Sequence, residues 1–214
     1  MNVFMIVALF AAAFFSIILH EVAHGFAALL LGDDTAKRYG RLSLNPLRHI
    51  DAFGTVLLPL ILMWTGSPFL FGWAKPVPVN FARLQHRRRD TVIVASAGIA
   101  ANFALFLLGY VVFSLQILPP AGILFVVYFM MMNIALILFN ILPIPPLDGS
   151  KIFFGGTDNP RLQKYVAAEK QGLAVLLAVA VLLPAVGHVF GRNWDILHSY
   201  FAAVLKLFYL LIGG

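Results

Sequence analysis

Residues 3–31 form one apolar run that only a few polar side chains interrupt. As a helix this run would be about 43 Å long, because each residue adds about 1.5 Å. The hydrocarbon core of a bilayer is about 30 Å thick, so such a helix can cross it and must tilt or protrude. The run has no basic stretch before it and is too long for the core of a signal peptide, so we expect it to be retained.

The apolar character extends over the rest of the chain. Hydrophobic residues make up 61% of the 214 residues and charged residues only 11%, whereas a soluble domain is about half apolar and about a quarter charged. A soluble fold of this size would leave too much apolar surface in water. We therefore predict an all-α polytopic membrane protein with about six hydrophobic segments, namely 3–31, 53–66, 91–117, 121–142, 173–190 and 196–212.

Two parts of this plan are less regular. Segment 53–66 is short and contains Pro59, so it forms either a stubby helix or a segment that dips into the membrane and returns. Residues 40–46 alternate between apolar and polar side chains, and residues 70–80 do so around two prolines. Both patterns predict short extended β elements, although the prolines also fit a rigid loop.

The domain organisation follows from what the chain lacks. No long polar linker divides it, so we predict a single domain over 1–214, with a catalytic core over about 3–156 and C-terminal helices over 173–212. The chain has no cysteine, which excludes disulfides, thiolate metal sites and a cysteine nucleophile.

The distribution of basic residues predicts the orientation in the membrane. Lys and Arg concentrate in the loops 32–51, 67–90 and 143–172, whereas the two short links between the later segments carry only Arg192. The positive-inside rule places these three loops in the cytoplasm, with the N-terminus outside and the C-terminus cytoplasmic. The net charge of +6 is thus a matter of topology, and no nucleic-acid partner is predicted.

The first apolar run contains the motif His20-Glu21-Val22-Ala23-His24. Residues at i and i+4 share a helix face, so both imidazoles can bind one metal ion. Two imidazoles and a carboxylate suit zinc and leave a fourth position for water. Glu21 lies next to them, where it can take the proton of that water and pass it to a leaving amine.

The same polar residues could instead form a solvated helix face or a polar cluster that only joins helices. A solvated face is unfavourable, because a charged group at mid-membrane costs ~2.5–3.5 kcal/mol, and Glu21 lies about 15 Å from the end of the run. The polar cluster stays open, although we favour a metal site.

A third ligand is needed, and Asp148 is the best candidate. It follows three prolines within four positions, which forbid a regular helix. Irregular backbone near membrane depth is tolerated where it lines a protein cavity, so a carboxylate there can face the metal. Asp148 can equally cap a helix that begins at Gly149, and spacing alone does not decide between the two.

The chain resembles the site-2 protease family of intramembrane zinc metalloproteases in two motifs, HEVAHG in an apolar helix and, far downstream, NILPIPPLDG. The intervening stretches GRLSLNPLRHIDAFG and FGWAKPVPVN resemble those of short bacterial and archaeal members that lack PDZ and CBS domains. The resemblance implies that His20, His24 and Asp148 bind one Zn²⁺ per chain and that Glu21 is the general base. It also implies that the β elements near 40–46 and 70–80 are membrane-associated.

Two asparagines match further family positions. Asn102 ends the stretch Ala97-Gly98-Ile99-Ala100-Ala101-Asn102, which is similar to an AGPxxN motif except that Ile99 stands in place of the proline. Asn140 opens the proline-rich segment before Asp148. The resemblance implies that Asn102 contacts the substrate backbone and that Asn140 either donates to the substrate or orients Asp148. An interhelical hydrogen bond is the alternative for each.

The resulting hypothesis is an intramembrane zinc metalloprotease that hydrolyses a peptide bond in or near a transmembrane segment of a membrane-protein substrate. Zinc-bound water is the nucleophile and Glu21 the general base. We expect a multi-pass protein of a prokaryotic cell membrane, in contact with the lipid bilayer. The alternatives are a metal-binding or metal-transporting membrane protein that uses the same His pair, or an inactive relative that only binds transmembrane partners. Glu21 beside an open metal position favours the protease.

Overall fold

The computed structural model describes residues 3–64, 74–179, 186–187 and 196–211. In chain order its α-helices are α1 (Val3–Leu30), α2 (Thr35–Arg38), α3 (Leu58–Trp64), α4 (Arg87–Ser114), α5 (Pro120–Asn140), α6 (Asp148–Phe154), α7 (Pro160–Ala167), α8 (Glu169–Leu177) and α9 (Ile196–Leu211). Short 3-10 turns occur at Pro46–His49 and Phe81–Arg83, and a π-helical turn at Ala52–Leu57 leads into α3.

Helices α1, α4 and α5 form the framework of the fold. Each is long and apolar enough to cross a membrane, and each packs against the other two. Helix α5 begins at Pro120, where the missing N–H of proline is no loss because the first turn has no acceptor for it. Phe106 of α4, Met130 of α5 and Phe208 of α9 meet in a buried core at one end of this framework.

The buried face of α1 has an unusual composition. Six of its eight buried residues recur at every fourth position, and apart from the two histidines these six are small: Ala8, Ala12, Ser16, His20, His24 and Ala28. The other two are Ile18 and Gly25. Small side chains let helix backbones approach closely inside a membrane. The fold therefore presses α4 and α5 against the stripe that carries the histidines.

The predicted segments 3–31, 91–117 and 121–142 are confirmed as long apolar helices, with α4 beginning four residues before its predicted start, at Arg87. The predicted segment 53–66 is no long span in the described residues. Its apolar helical part covers Ala52–Ile61. The start is fixed by Asp51, whose Oδ1 accepts hydrogen bonds from the backbone N–H groups of Phe53 and Gly54.

The two C-terminal segments are only partly described. Helix α8 covers the start of the predicted segment 173–190, whose later part lies mostly outside the described residues. Helix α9 corresponds to the predicted segment 196–212. The count of about six membrane segments is thus not confirmed, and three long spans stand.

Neither predicted β element is a strand in the part of the chain that the structure describes. Residues 40–46 turn at Gly40, which adopts a positive φ of 61°, and then enter the turn at Pro46–His49. Residues 70–73 lie outside the described residues, and residues 74–80 are irregular. Pro76 and Pro78 have no N–H to donate to a ladder, and the N–H groups around them are bound by acceptors outside any strand. The β element at 40–46 was therefore mispredicted, and the one at 70–80 is not confirmed.

Candidate metal centre

Two histidines of α1 lie side by side in the interior. His20 and His24 are one helical turn apart and almost completely buried. Their Nε2 atoms are 3.1 Å apart, and the rings meet edge to face with centroids separated by 4.6 Å. The i, i+4 spacing predicted this shared face.

Asp148 is brought to the same point by the break between α5 and α6. It is the first residue of α6, and Leu147 before it makes no side-chain cap. Asp148 Oδ2 lies 3.1 Å from His20 Nε2 and 3.2 Å from His24 Nε2. The carboxylate thus faces the imidazoles, which favours the ligand interpretation over the helix cap.

A glycine and several backbone contacts hold Asp148 in place. A Cβ on Gly149 would lie 2.2 Å from the carbonyl oxygen of Ile141, so only glycine permits α6 to begin this close to the end of α5. Lys151 Nζ donates to the carbonyl of Pro146, and the Tyr165 hydroxyl donates to the carbonyl of Pro143. Hydrogen bonds therefore hold both ends of the proline segment before Asp148, at Pro143 and at Pro146.

The donor set fits zinc. His20, His24 and Asp148 are the described His, Asp or Glu residues that converge as a possible metal site, with all their ligand atoms within 4.8 Å of one another. Tetrahedral zinc with bonds of about 2.0–2.1 Å needs ligand atoms roughly 3.3 Å apart, close to the observed separations of 3.1, 3.1 and 3.2 Å. Asp148 Oδ2 is buried, and although both Nε2 atoms are near it, no described group is aligned to form a hydrogen bond with it.

Burial and the neighbouring imidazoles act in opposite directions on the pKa of the Asp148 carboxyl. Burial by itself favours the neutral acid, but the His20 and His24 imidazoles beside it outweigh burial and hold the pKa of the Asp148 carboxyl below its usual range. Two buried ring nitrogens and one buried carboxylate oxygen thus lie within 3.2 Å of one another.

Helix α4 forms the wall behind the histidines. His24 Nδ1 lies 2.7 Å from the carbonyl oxygen of Val94, which holds the ring by its far nitrogen. One turn further along α4, a Cβ on Gly98 would lie 2.5 Å from His24 Nε2 and 2.5 Å from His20 Cε1. Position 98 therefore has no room for any side chain while the imidazoles keep this arrangement.

We expect Gly98→Ala to weaken zinc binding at least about tenfold, the effect typical of a misoriented ligand. The added methyl group overlaps the ligand atom of His24 and must displace either the imidazoles or α4. Metal content after dialysis against a zinc chelator of known affinity checks this prediction.

Gly109→Ala is the matched control, because Gly109 is a buried glycine of the same helix whose added Cβ would meet the flexible Met130 side chain, 2.7 Å from its Cγ. Both variants are expected to have a lower Tm than the wild type. A chelator should lower the Tm of the wild type and of Gly109→Ala further, because it removes their zinc, but should leave the Tm of Gly98→Ala unchanged. Equal zinc affinity in the two variants would show that Gly98 serves only helix packing.

Glu21 lies next to the histidines without joining the ligand cluster. Its Oε2 accepts a hydrogen bond from the backbone N–H of Val77 at 2.8 Å, and the side chain is half-buried. Among the described groups this is the contact that holds the carboxylate, and it leaves Oε1 available to a proton donor. The geometry suits a base that is oriented by one oxygen and acts with the other.

Segment 74–80 is fastened over this face of α1 by several contacts. The N–H of Lys75 donates to the His49 carbonyl at 2.8 Å, and the N–H of Asn80 donates to Asp33 Oδ2 at 2.6 Å. Arg41 Nη2 donates to the Lys75 carbonyl at 2.7 Å. Segment 74–80 is thus irregular, and residues of the loop that follows α1 hold it in position.

The two asparagines have different environments. Asn102 is completely buried, and neither atom of its side-chain amide has a hydrogen-bond partner among the described groups. Asn140 is half-buried at the end of α5 and donates to the carbonyl of Leu136 at 3.1 Å. An interhelical hydrogen bond is therefore absent for Asn102 in the described residues, and the bond of Asn140 lies within its own helix.

Sequence reasoning missed the residues that position the site. Val94 and Val77 act through backbone groups, which leave no signal in a side-chain pattern. Gly98 and Gly149 act through close approach. Only Gly149, directly after a candidate ligand, and Gly98, one turn before Asn102, had a spacing that hinted at a role.

A protein family and several known proteins are similar to this chain. The sequence model of Peptidase family M50 matches residues 116–185, which include Asp148. A Bacillus subtilis (strain 168) protein named "Putative zinc metalloprotease YwhC" is 36% identical over 204 residues, covering 90% of this chain and 87% of its own length.

Two mycobacterial proteins named "Putative zinc metalloprotease Rip2" are also similar. The one from Mycolicibacterium smegmatis is 30% identical over 183 residues, covering 82% of this chain and 66% of the relative. The one from Mycobacterium tuberculosis H37Rv is 31% identical over 179 residues, covering 82% of this chain and 67% of the relative. No solved structure matches the chain significantly.

Proposed function

The chain belongs to peptidase family M50, the site-2 protease family, and we propose that it hydrolyses a peptide bond in or near a transmembrane segment of a membrane-protein substrate. It is a zinc metalloprotease and, with three long apolar helices, an integral membrane protein. The observation that carries the proposal is the convergence of two imidazoles and one carboxylate on an apolar helix long enough to span a bilayer.

His20, His24 and Asp148 are the proposed zinc ligands, and Glu21 is the proposed general base. The ligand separations of 3.1–3.2 Å support the first assignment. The position of Glu21, next to His20 but outside the ligand cluster, supports the second. When bound, zinc polarises the scissile carbonyl and lowers the pKa of a water molecule toward ~7.

The chain's own groups handle the protons. Glu21 accepts a proton from the attacking water at Oε1, while the Val77 N–H holds Oε2. As the oxygen of the water adds to the carbonyl carbon and the C–N bond breaks, Glu21 returns the proton to the leaving nitrogen. The Val94 carbonyl keeps the His24 ring in its ligand orientation throughout.

The site's position in an apolar helix supports a substrate that is itself in the membrane. A peptide bond within a helix is shielded by its hydrogen bonds, so the substrate helix has to unwind locally before attack. Asn140, at the end of α5, is a proposed substrate contact whose amide oxygen can accept a backbone N–H from an unwound segment. The same role for Asn102 stays a prediction, since that side chain is fully buried.

The orientation is also a proposal. If α1, α4 and α5 cross the membrane and the short segment 52–64 does not, the loops after α1 and after α5 lie on the same side. Both loops are rich in Lys and Arg, as the positive-inside rule requires of cytoplasmic loops. The N-terminus is then outside and the C-terminus cytoplasmic. A single domain over 1–214 in a prokaryotic membrane is part of the same proposal.

Metal transport through the same His pair is less well supported. Transport needs polar groups along a path through several helices, whereas the His pair is closed on one side by Gly98 and packed against α4. Glu21, placed beside the ligands but outside their cluster, is the base that hydrolysis needs.

Metal removal tests the proposed function. In proteoliposomes that also hold reporters with a single apolar transmembrane helix, we expect the wild type to cut within or next to that helix. A zinc chelator should lower cleavage to background, and added Zn²⁺ should restore it. Cleavage sites are mapped by mass spectrometry of the products. Efficient cleavage of soluble unstructured peptides, together with intact membrane reporters, would contradict the proposed substrate class.

A further inference from the structure

His20 and His24 differ in how their second ring nitrogens are held. His24 Nδ1 has the Val94 carbonyl at 2.7 Å. His20 Nδ1 is buried and has no hydrogen-bond partner among the described groups. A ligating histidine normally passes its other N–H to an acceptor, which fixes the tautomer and the ring orientation. Within the described part of the chain, one of the two proposed imidazole ligands therefore lacks the acceptor that it requires.

Buried acceptors without partners are found in the adjoining turn of the helix bundle. Asn102 is completely buried, and both polar atoms of its side chain are unpaired among the described residues. Asn133 on α5 is also completely buried, and its Nδ2 donates to Ser16 Oγ at 2.9 Å while its Oδ1 is unpaired within the same described part of the chain. Unpaired amides at this depth are unfavourable, because the surroundings offer no solvent.

The register of α1 against α4 places Asn102 at the level of Ser16. His24 meets Val94, and His20 meets the position of Gly98, so the helices run antiparallel and the next turn pairs Ser16 with Asn102. Side chains on a helix lean toward its own N-terminus. In an antiparallel pair, Asn102 therefore leans toward His20, and His20 leans toward Asn102.

We propose that Asn102 and Asn133 hold an ordered water molecule that accepts a hydrogen bond from the Nδ1–H of His20. The water oxygen is the acceptor for this N–H, and its two hydrogens go to Asn102 Oδ1 and Asn133 Oδ1. A buried water typically makes about three hydrogen bonds to groups that are otherwise unsatisfied, which matches these three atoms. Asn102 is then a positioning residue that acts through His20. This inference rests on the proposed ligation of zinc by His20.

The test measures zinc affinity without any substrate. Asn102→Leu keeps the approximate volume and removes the amide, so the zinc affinity of the purified protein should fall about 10–100-fold in competition with a chelator. Asn102→Asp, which keeps a carbonyl-type acceptor, should retain more affinity than the leucine variant. Thr91→Val is the matched control, because Thr91 is a buried polar residue of the same helix whose hydroxyl donates to the Arg87 carbonyl, away from the histidines.

Each outcome has a distinct meaning. If Asn102→Leu binds zinc as tightly as the wild type but shows a raised KM for a membrane reporter, Asn102 contacts substrate and the water proposal is overturned. If Asn102→Leu does not purify folded, Asn133→Leu carries the test, since it removes the second acceptor, and unchanged zinc affinity there overturns the proposal. If His20→Ala retains wild-type zinc affinity, the proposed ligand set fails instead.

Discussion

Glu21→Gln should keep about one zinc per chain and lose nearly all cleavage. The amide has the size of the carboxylate and can still accept the N–H of Val77. It cannot accept a proton from water at neutral pH, and general-base catalysis typically contributes about 10²–10⁴-fold. Zinc content by elemental analysis and initial rates on a transmembrane reporter measure the two properties on the same preparation.

The matched control for that experiment is Asp158→Asn, which makes the same carboxylate-to-amide change at an exposed acid in the loop after α6. This variant should bind zinc and cleave as the wild type does. Normal cleavage by Glu21→Gln would exclude Glu21 as the base, and loss of zinc from it would mean that Glu21 supports the metal rather than the proton transfer.

Asp148→Ala should release the metal. It removes one of three proposed ligands and leaves two imidazoles that are held 3.1 Å apart by packing. Loss of a group that only supports a ligand already costs about 10–100-fold in affinity, so loss of the ligand itself should cost more than about 100-fold. Competition with chelators of graded affinity measures the difference, and cleavage should fall with zinc occupancy.

Asp158→Ala separates a ligand effect from a general charge effect. Asp158 is an exposed acid in the loop after α6, so its removal changes the net charge equally without touching the histidines. Zinc retained at full occupancy in Asp148→Ala would remove Asp148 from the ligand set, and a third donor would then have to be sought elsewhere. Partial rescue by Asp148→Glu would instead support a carboxylate ligand whose reach is critical.

Those features of the fold that depend on a single helix were predictable from the sequence. The lengths of α1, α4 and α5 follow from uninterrupted apolar runs, because a helix in lipid must satisfy its own backbone. The two β elements were not confirmed in the described residues, since alternation of residue types does not say where N–H groups donate. In segment 74–80 they donate to Asp33, His49 and Glu21 rather than to a neighbouring strand.

The same distinction applies to the candidate site, where the His pair was predictable from one helix and the position of Asp148 was not. His20 and His24 lie one turn apart on one helix, so local geometry determined their common face, and the cost of burying polar groups in an apolar run favoured a metal site there. Asp148 was open between ligand and cap, because its partners lie more than a hundred residues away. Only the packing of α6 against α4, which itself packs on α1, brings its carboxylate to the imidazoles.

The sequence by itself determined that this chain belongs in a membrane and carries a His pair with a neighbouring glutamate on an apolar helix. Tertiary structure alone decided that the Asp148 carboxylate lies beside the His pair, that Val77 contacts Glu21, that Gly98 packs against both imidazoles, and that Asn102 has no partner among the described groups. The physical reason is that helix periodicity and hydropathy are local properties of the chain. Close approach and the pairing of buried polar atoms depend on which helices meet, and that is settled only by packing.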